Sequence, residues 1–194
     1  ISIASGEGTT DTSGAVIVKT MNAGVSGVSG MLSFTSGTAS SGSSGHFNLF
    51  TGSATNGKGG DMLMSIGSGT TYSGGDIVMS AGLSTAVASG TGGAVSVSTG
   101  EGEPTTSGAL IVKTLNAGTL GVSGALRFTS GTASSGGSGY IQIATGSATN
   151  GEGGDILVSI GKSKTDPGGD VVVTAGHSEP FSGGAISIAS GEGT

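Results

Sequence analysis

One short pattern organises the whole chain. A segment of the form Gly-x-Φ-x-Φ-x-(Ser/Thr)-Gly, where Φ is a large apolar residue, begins at Gly14, Gly30, Gly45, Gly60, Gly75 and Gly93. It begins again at Gly108, Gly124, Gly139, Gly154, Gly169 and Gly184, which makes twelve repeats at a spacing of about 15 or 16 residues. A fixed short period of this kind points to a stacked repeat architecture rather than a single core with one cleft. Function in such a chain lies in its faces, its ends or its length.

Within a repeat the apolar residues alternate. In Gly139 to Gly146, Ile141, Ile143 and Thr145 share one parity, and Gln142 and Ala144 the other, which is the period of an extended segment half covered on one side. The same register holds in Leu126/Phe128/Ser130 and in Val95/Val97/Thr99. Glycine at both ends marks where the chain turns. Between these segments lie short polar stretches with a lone Ala, such as Ser53 to Gly57 and Ser147 to Gly151, or Thr38-Ala39-Ser40 and Thr132-Ala133-Ser134. Read as a second, narrower strand with Ala54 or Ala148 pointing inward, they complete a coil. The expectation is an all-β protein: a slender, flattened β-solenoid of about twelve coils, about 4.8 Å per coil and on the order of 58 Å long. Antiparallel hairpins, each repeat pairing with itself, would need two strong apolar strands per repeat, and only one is present.

A longer period is superimposed. The first five leading glycines map onto Gly108, Gly124, Gly139, Gly154 and Gly169 with one constant offset, and matching repeats resemble each other more than their neighbours do. Val16-Ile17-Val18-Lys19-Thr20 returns as Leu110-Ile111-Val112-Lys113-Thr114, and Phe34 to Ser40 returns as Phe128 to Ser134. The expected organisation is one continuous array over 1–194, with six-coil super-repeats at 1–94 and 95–194. Coil stacking explains the short period but not the long one, so something outside the coil is expected to read it.

The third position after each leading glycine faces outward on this reading. It runs Ile17, Ser33, Asn48, Leu63, Val78, Ser96 in the first super-repeat and Ile111, Arg127, Gln142, Leu157, Val172, Ser187 in the second, so Leu63/Val78 and Leu157/Val172 form apolar patches, with Ile17 and Ile111 set apart from them. Apolar residues on a face that should be wet mark a lateral contact surface; the alternative is cover by a longer loop such as 83–92. The opening string Ile1 to Thr9 returns as Ile186 to Thr194. Neither end reads as a polar cap, which fits a piece of a longer array or head-to-tail stacking of copies.

Composition narrows the function classes. With 43 glycines, only 9% charged residues and a net charge of −6, the chain lacks the basic stripe that nucleic acid requires. No apolar stretch is long enough to span a membrane as a helix. Cysteine is absent, so thiol and disulfide chemistry are excluded. No Asn-x-Ser/Thr sequon occurs, and the Ser- and Thr-rich stretches leave O-linked glycans as a possible addition.

Candidate chemistry is sparse. Asp61, Asp76, Asp155 and Asp170 each follow a Gly-Gly pair. In stacked coils Asp61 would lie over Asp76, and Asp155 over Asp170, about 4.8 Å apart. Such a ladder repels itself unless it is compensated, and Ca²⁺ is one compensating ligand. Asn56-Gly57-Lys58-Gly59-Gly60-Asp61 only partly matches the Gly-Gly-x-Gly-x-Asp calcium repeat. The competing role is acceptance of hydrogen bonds from turn N–H groups. His46 and His177 occupy unrelated positions and read as surface residues. Lys19 and Lys113 recur on the outward parity, and Glu7, Glu101 and Glu192 recur in Gly-Glu-Gly turns. No nucleophile–base pair, HExxH motif or phosphate loop is present, and the chain reads as a non-enzyme without a cofactor, calcium aside.

The Gly-x-Val-x-Val-x-Ser-Gly cadence resembles the Ser/Thr/Gly-rich repeats of very large secreted or cell-surface proteins of microbes, microalgae and bacteria among them. The resemblance implies an extracellular structural or adhesive role. The leading expectation is a repeat segment of an extracellular filament or surface fibre, with further copies of itself as partner through end-to-end stacking and lateral apolar patches. Two alternatives stand beside it. One is an ice-binding β-solenoid, although the fifth position (Lys19, Thr35, Phe50, Ser65) gives no clean Thr ladder. The other is an adhesin stalk, with or without calcium.

Overall fold

The computed structural model describes residues 1–9, 12–86 and 90–193. Among them there is no helix and no hydrogen-bonded strand, and nearly every residue is exposed. The chain divides into two units, Ile1–Val97 and Ser98–Thr194. The β-solenoid expected from the repeat is not formed. A solenoid needs each coil to pair its backbone with the next and to turn its Φ residues onto a shared interior. Here the interior is missing: among the described residues no hydrophobic side chain is buried.

The path of the chain shows what replaces coil stacking. At all twelve joins, a side chain on the leading glycine would place its Cβ between 2.8 and 3.9 Å from the sixth-position side chain of the preceding repeat. Gly30 meets Thr20, Gly60 meets Thr51, Gly75 meets Ile66 and Gly154 meets Thr145 in this way. Stacked coils would set each leading glycine over the previous leading glycine. Instead the chain reverses between one apolar segment and the next, and the end of one lies beside the start of its successor. An aromatic contact has the same sense. Phe34 and Phe47 approach with ring centroids 6.4 Å apart, tilted at 36°, which sets a fourth position beside a second position. Stacking would have placed Phe34 over Leu49. The self-pairing hairpin also fails, because the reversal lies between repeats and not within one.

The narrow second strand is likewise absent. The stretches expected to form it are bends, centred on residues 40–42, 55–57, 134–136 and 149–151. In the first and third of these, Gly42 and Gly136 have φ of +105° and +103°, a region that side chains with a Cβ rarely enter. Ala54 and Ala148 therefore sit at exposed turns and line no interior. Each repeat offers only one Φ pair, and fixing the long Gly/Ser/Thr stretch around it costs more conformational entropy than that pair offsets. The expected cover by loop 83–92 includes residues 87–89, and the closing string includes Thr194; both extend outside the described residues.

The alternation survives without a sheet. Val16 is 55% exposed and its neighbour Ile17 77%, and Ile156 is 55% exposed against 87% for Leu157. The third position is thus the more exposed parity, as its sequence position implies.

Candidate functional site

Among the described residues, four of the twelve joins are closed by a backbone hydrogen bond. The N–H of the leading glycine donates to the carbonyl of the glycine that ended the preceding segment: Gly14 to Gly6 at 3.3 Å, Gly93 to Gly82 at 2.9 Å, Gly108 to Gly100 at 3.1 Å and Gly184 to Gly176 at 2.9 Å. These joins precede the first and sixth repeats of each half. Three of them also hold the half-buried residues Ser84, Gly102 and Ser178, and Ala175 lies just before the last of these joins. The next join in each half contains an inner turn, closed by Gly27 N–H to Gly24 at 3.3 Å and by Gly121 N–H to Gly118 at 3.5 Å. The long sequence period is therefore written into the loops.

The candidate lateral-contact residues are all strongly exposed, Ile17, Leu63 and Val78 in the first unit and Ile111, Leu157 and Val172 in the second. They do not stand alone as wet apolar residues. Val16, Val18, Met62, Met64, Ile77 and Met79 are exposed too, so both parities of the segments that carry Ile17, Leu63 and Val78 offer apolar surface. That was not legible from alternation, which presumes that one parity is covered.

The candidate calcium ligands Asp61, Asp76, Asp155 and Asp170 belong to no cluster of three or more metal-ligating side chains among the described residues. The ladder of Asp61 over Asp76, and of Asp155 over Asp170, depended on coil stacking and falls with it. Asp61 instead holds Lys58, whose Nζ lies 2.7 Å from Oδ1 and 2.8 Å from Oδ2. Both side chains are open to water, so the pair contributes at most a few tenths of a kcal/mol. The equivalent of Lys58 in the second unit is Glu152, three residues before Asp155. His46 is exposed, and His177 lies 3.3 Å from Glu179 through Nε2 and Oε1. Repeat register does not show that contact; its signal is the local His177-Ser178-Glu179 spacing.

Loops 67–74 and 161–168 occupy equivalent places and are built differently. In the first, a side chain on Gly69 would set its Cβ 2.5 Å from the Tyr72 carbonyl oxygen and 2.8 Å from that of Ser73. In the second the equivalent residue is Ser163, whose Oγ accepts the Asp166 N–H at 3.2 Å, a side-chain–backbone turn. Asp166 also accepts from the Thr165 hydroxyl at 3.1 Å.

Comparison with protein-family models, curated proteins and solved structures finds no match.

Proposed function

We propose that this chain is a non-enzymatic structural repeat of an extracellular or cell-surface fibre, and that it works by associating with further copies of itself through its apolar segments. The observation that supports this is the regular placement of Val, Ile, Leu, Met and Phe in twelve segments, with no core among the described residues to cover them. Exposed apolar surface at this density is driven to bury itself, at about 25 cal/mol per Å² removed from water. Backbone N–H and C=O groups in the same segments are left without partners in secondary structure, and a neighbouring chain can satisfy them. Low charge favours the same outcome, because little repulsion holds copies apart. The non-enzymatic part of the reading rests on the absence of any nucleophile–base arrangement in the sequence.

Lateral association replaces end-to-end stacking in this proposal, since stacking needs a coil face. The ice-binding alternative loses its flat scaffold for the same reason. The adhesin stalk remains as a second reading, favoured by the open loops that would let a chain extend between two anchored ends.

Sedimentation velocity over a concentration series, with electron microscopy of the heavy fraction and a calcium-chelated parallel, tests the proposal. Concentration-dependent fibres or large assemblies are expected. A chain that stays monomeric across the series, with and without calcium, would reject self-association and favour the stalk.

A further inference from the structure

Two of the five asparagines are followed by glycine: Asn56–Gly57 and Asn150–Gly151. Both pairs lie in the bends 55–57 and 149–151, and all four residues are exposed. A Cβ built on Gly57 or Gly151 would meet nothing within 4 Å, so the space around each following residue is open. Among the described residues no hydrogen bond holds the Asn56 or Asn150 side chain, or the N–H of Gly57 or Gly151. Asn22, Asn48 and Asn116 are followed by Ala23, Leu49 and Ala117, and a Cβ there crowds the approach of the following nitrogen.

We infer that Asn56 and Asn150 are sites of spontaneous deamidation, converting with time to a mixture of aspartate and isoaspartate. The backbone nitrogen of Gly57 or Gly151 gives up its proton and attacks Cγ of the preceding asparagine. The new C–N bond closes a five-membered succinimide, and the amide nitrogen leaves as ammonia. Water then opens the ring at either carbonyl, and the product carries one more negative charge than the asparagine did. Ring closure needs a backbone that can swing freely, which glycine supplies and an unpaired bend permits. Asparagine is among the thermolabile side chains for this reason.

The position of the two sites gives the chemistry a local consequence. One new carboxylate arises beside the Lys58–Asp61 pair, the other beside Glu152 and Asp155. Isoaspartate also lengthens the main chain by one atom inside the loop that brings Gly60 back to Thr51, or Gly154 back to Thr145. The modification falls once in each half, at the same loop.

Peptide mapping by mass spectrometry of the full chain, incubated at neutral to mildly alkaline pH, tests the inference without reference to assembly. Conversion at Asn56 and Asn150 is expected to outpace that at Asn22, Asn48 and Asn116 by at least about tenfold, with ammonia released in equal amount. Gly57→Ala and Gly151→Ala are each expected to slow their own site by about tenfold and leave the other unchanged. Equal rates at all five asparagines, or an unchanged rate in the alanine variants, would overturn the assignment. A second measurement compares the full chain with the excised peptides. Rates within about threefold of one another fit open loops, and a chain slower by about tenfold or more would show that the loops are held and overturn the premise.

Discussion

The units Ile1–Val97 and Ser98–Thr194 form the same set of loops from different residues. The loop closed by Gly6 and Gly14 contains Glu7-Gly8-Thr9, and its counterpart closed by Gly100 and Gly108 contains Glu101-Gly102-Glu103-Pro104. Gly82 and Gly93 enclose three more residues than Gly176 and Gly184 do, yet both pairs close at 2.9 Å. Closure at these joins therefore tolerates a change of three residues in loop length. Where the units differ chemically is in charge and turn construction: Lys58 against Glu152, and Gly69 against Ser163. Backbone geometry is held in common while the loop surface varies.

The largest expected effect tests whether the two units are equivalent as contact surfaces. Replacing Ile17, Leu63 and Val78 with Ser removes three exposed apolar side chains from the first unit. Replacing Ile111, Leu157 and Val172 does the same in the second. If each side chain contributes about 1 kcal/mol when partly buried in an assembly, either triple variant raises the concentration needed for association by about a hundredfold. Sedimentation reads this directly. Equal losses keep the comparison intact, and a loss confined to one triple would show that the halves have separate roles.

Next in size is the turn built on Gly69. Gly69→Ala forces a Cβ onto the Tyr72 carbonyl oxygen, a backbone atom with little room to yield. The cost is about 1–3 kcal/mol of loop geometry, seen as large NMR shift changes at residues 70–73. Ser163→Ala removes only the bond from the Asp166 N–H, worth about 0.5–1 kcal/mol in an exposed turn. Similar shift changes in both loops would mean that Gly69 is no more constrained than Ser163.

Those two loops also show what sequence could and could not reveal. The repeat boundaries, the alternation within segments and the long period were legible, because each is a pattern of residue type at fixed spacing. All twelve leading glycines read alike as turn positions, and among the described residues only Gly14, Gly93, Gly108 and Gly184 close a loop by a backbone hydrogen bond. The fold was not legible. A pattern such as Val16-Ile17-Val18 states which residues want cover, not whether the chain can supply it. Twelve Φ pairs among 43 glycines do not, so Val16 and Val18 stay exposed. The aspartate ladder was an inference from that fold and loses its basis with it; the partner that Asp61 does hold is Lys58.

A smaller effect separates closed joins from merely adjacent ones. The amides of Gly14, Gly93, Gly108 and Gly184 donate hydrogen bonds, whereas those of Gly60 and Gly154 make none with the backbone among the described residues. Exchange at the four donors is expected to be slowed about two- to fivefold, the range of bonds that open easily in exposed loops. Slowing at Gly14 and Gly93 without slowing at Gly108 and Gly184 would break the match between the units.

The smallest effect concerns the one position where the units carry opposite charge. Lys58→Glu makes the first loop a copy of the second and removes the 2.7 Å contact with Asp61; Glu152→Lys places a cation three residues before Asp155. Stability should change by no more than a few tenths of a kcal/mol, because both groups lie in water and salt screens them. The reactive loops should still register the exchange. A nearby cation favours the anionic nitrogen that attacks Asn56, and a nearby carboxylate disfavours the same state at Asn150. Lys58→Glu should therefore slow Asn56 about twofold at low salt and Glu152→Lys should hasten Asn150 by a similar factor, both differences fading as ionic strength rises. Rates that ignore the swap would place the control of these loops in their glycines alone.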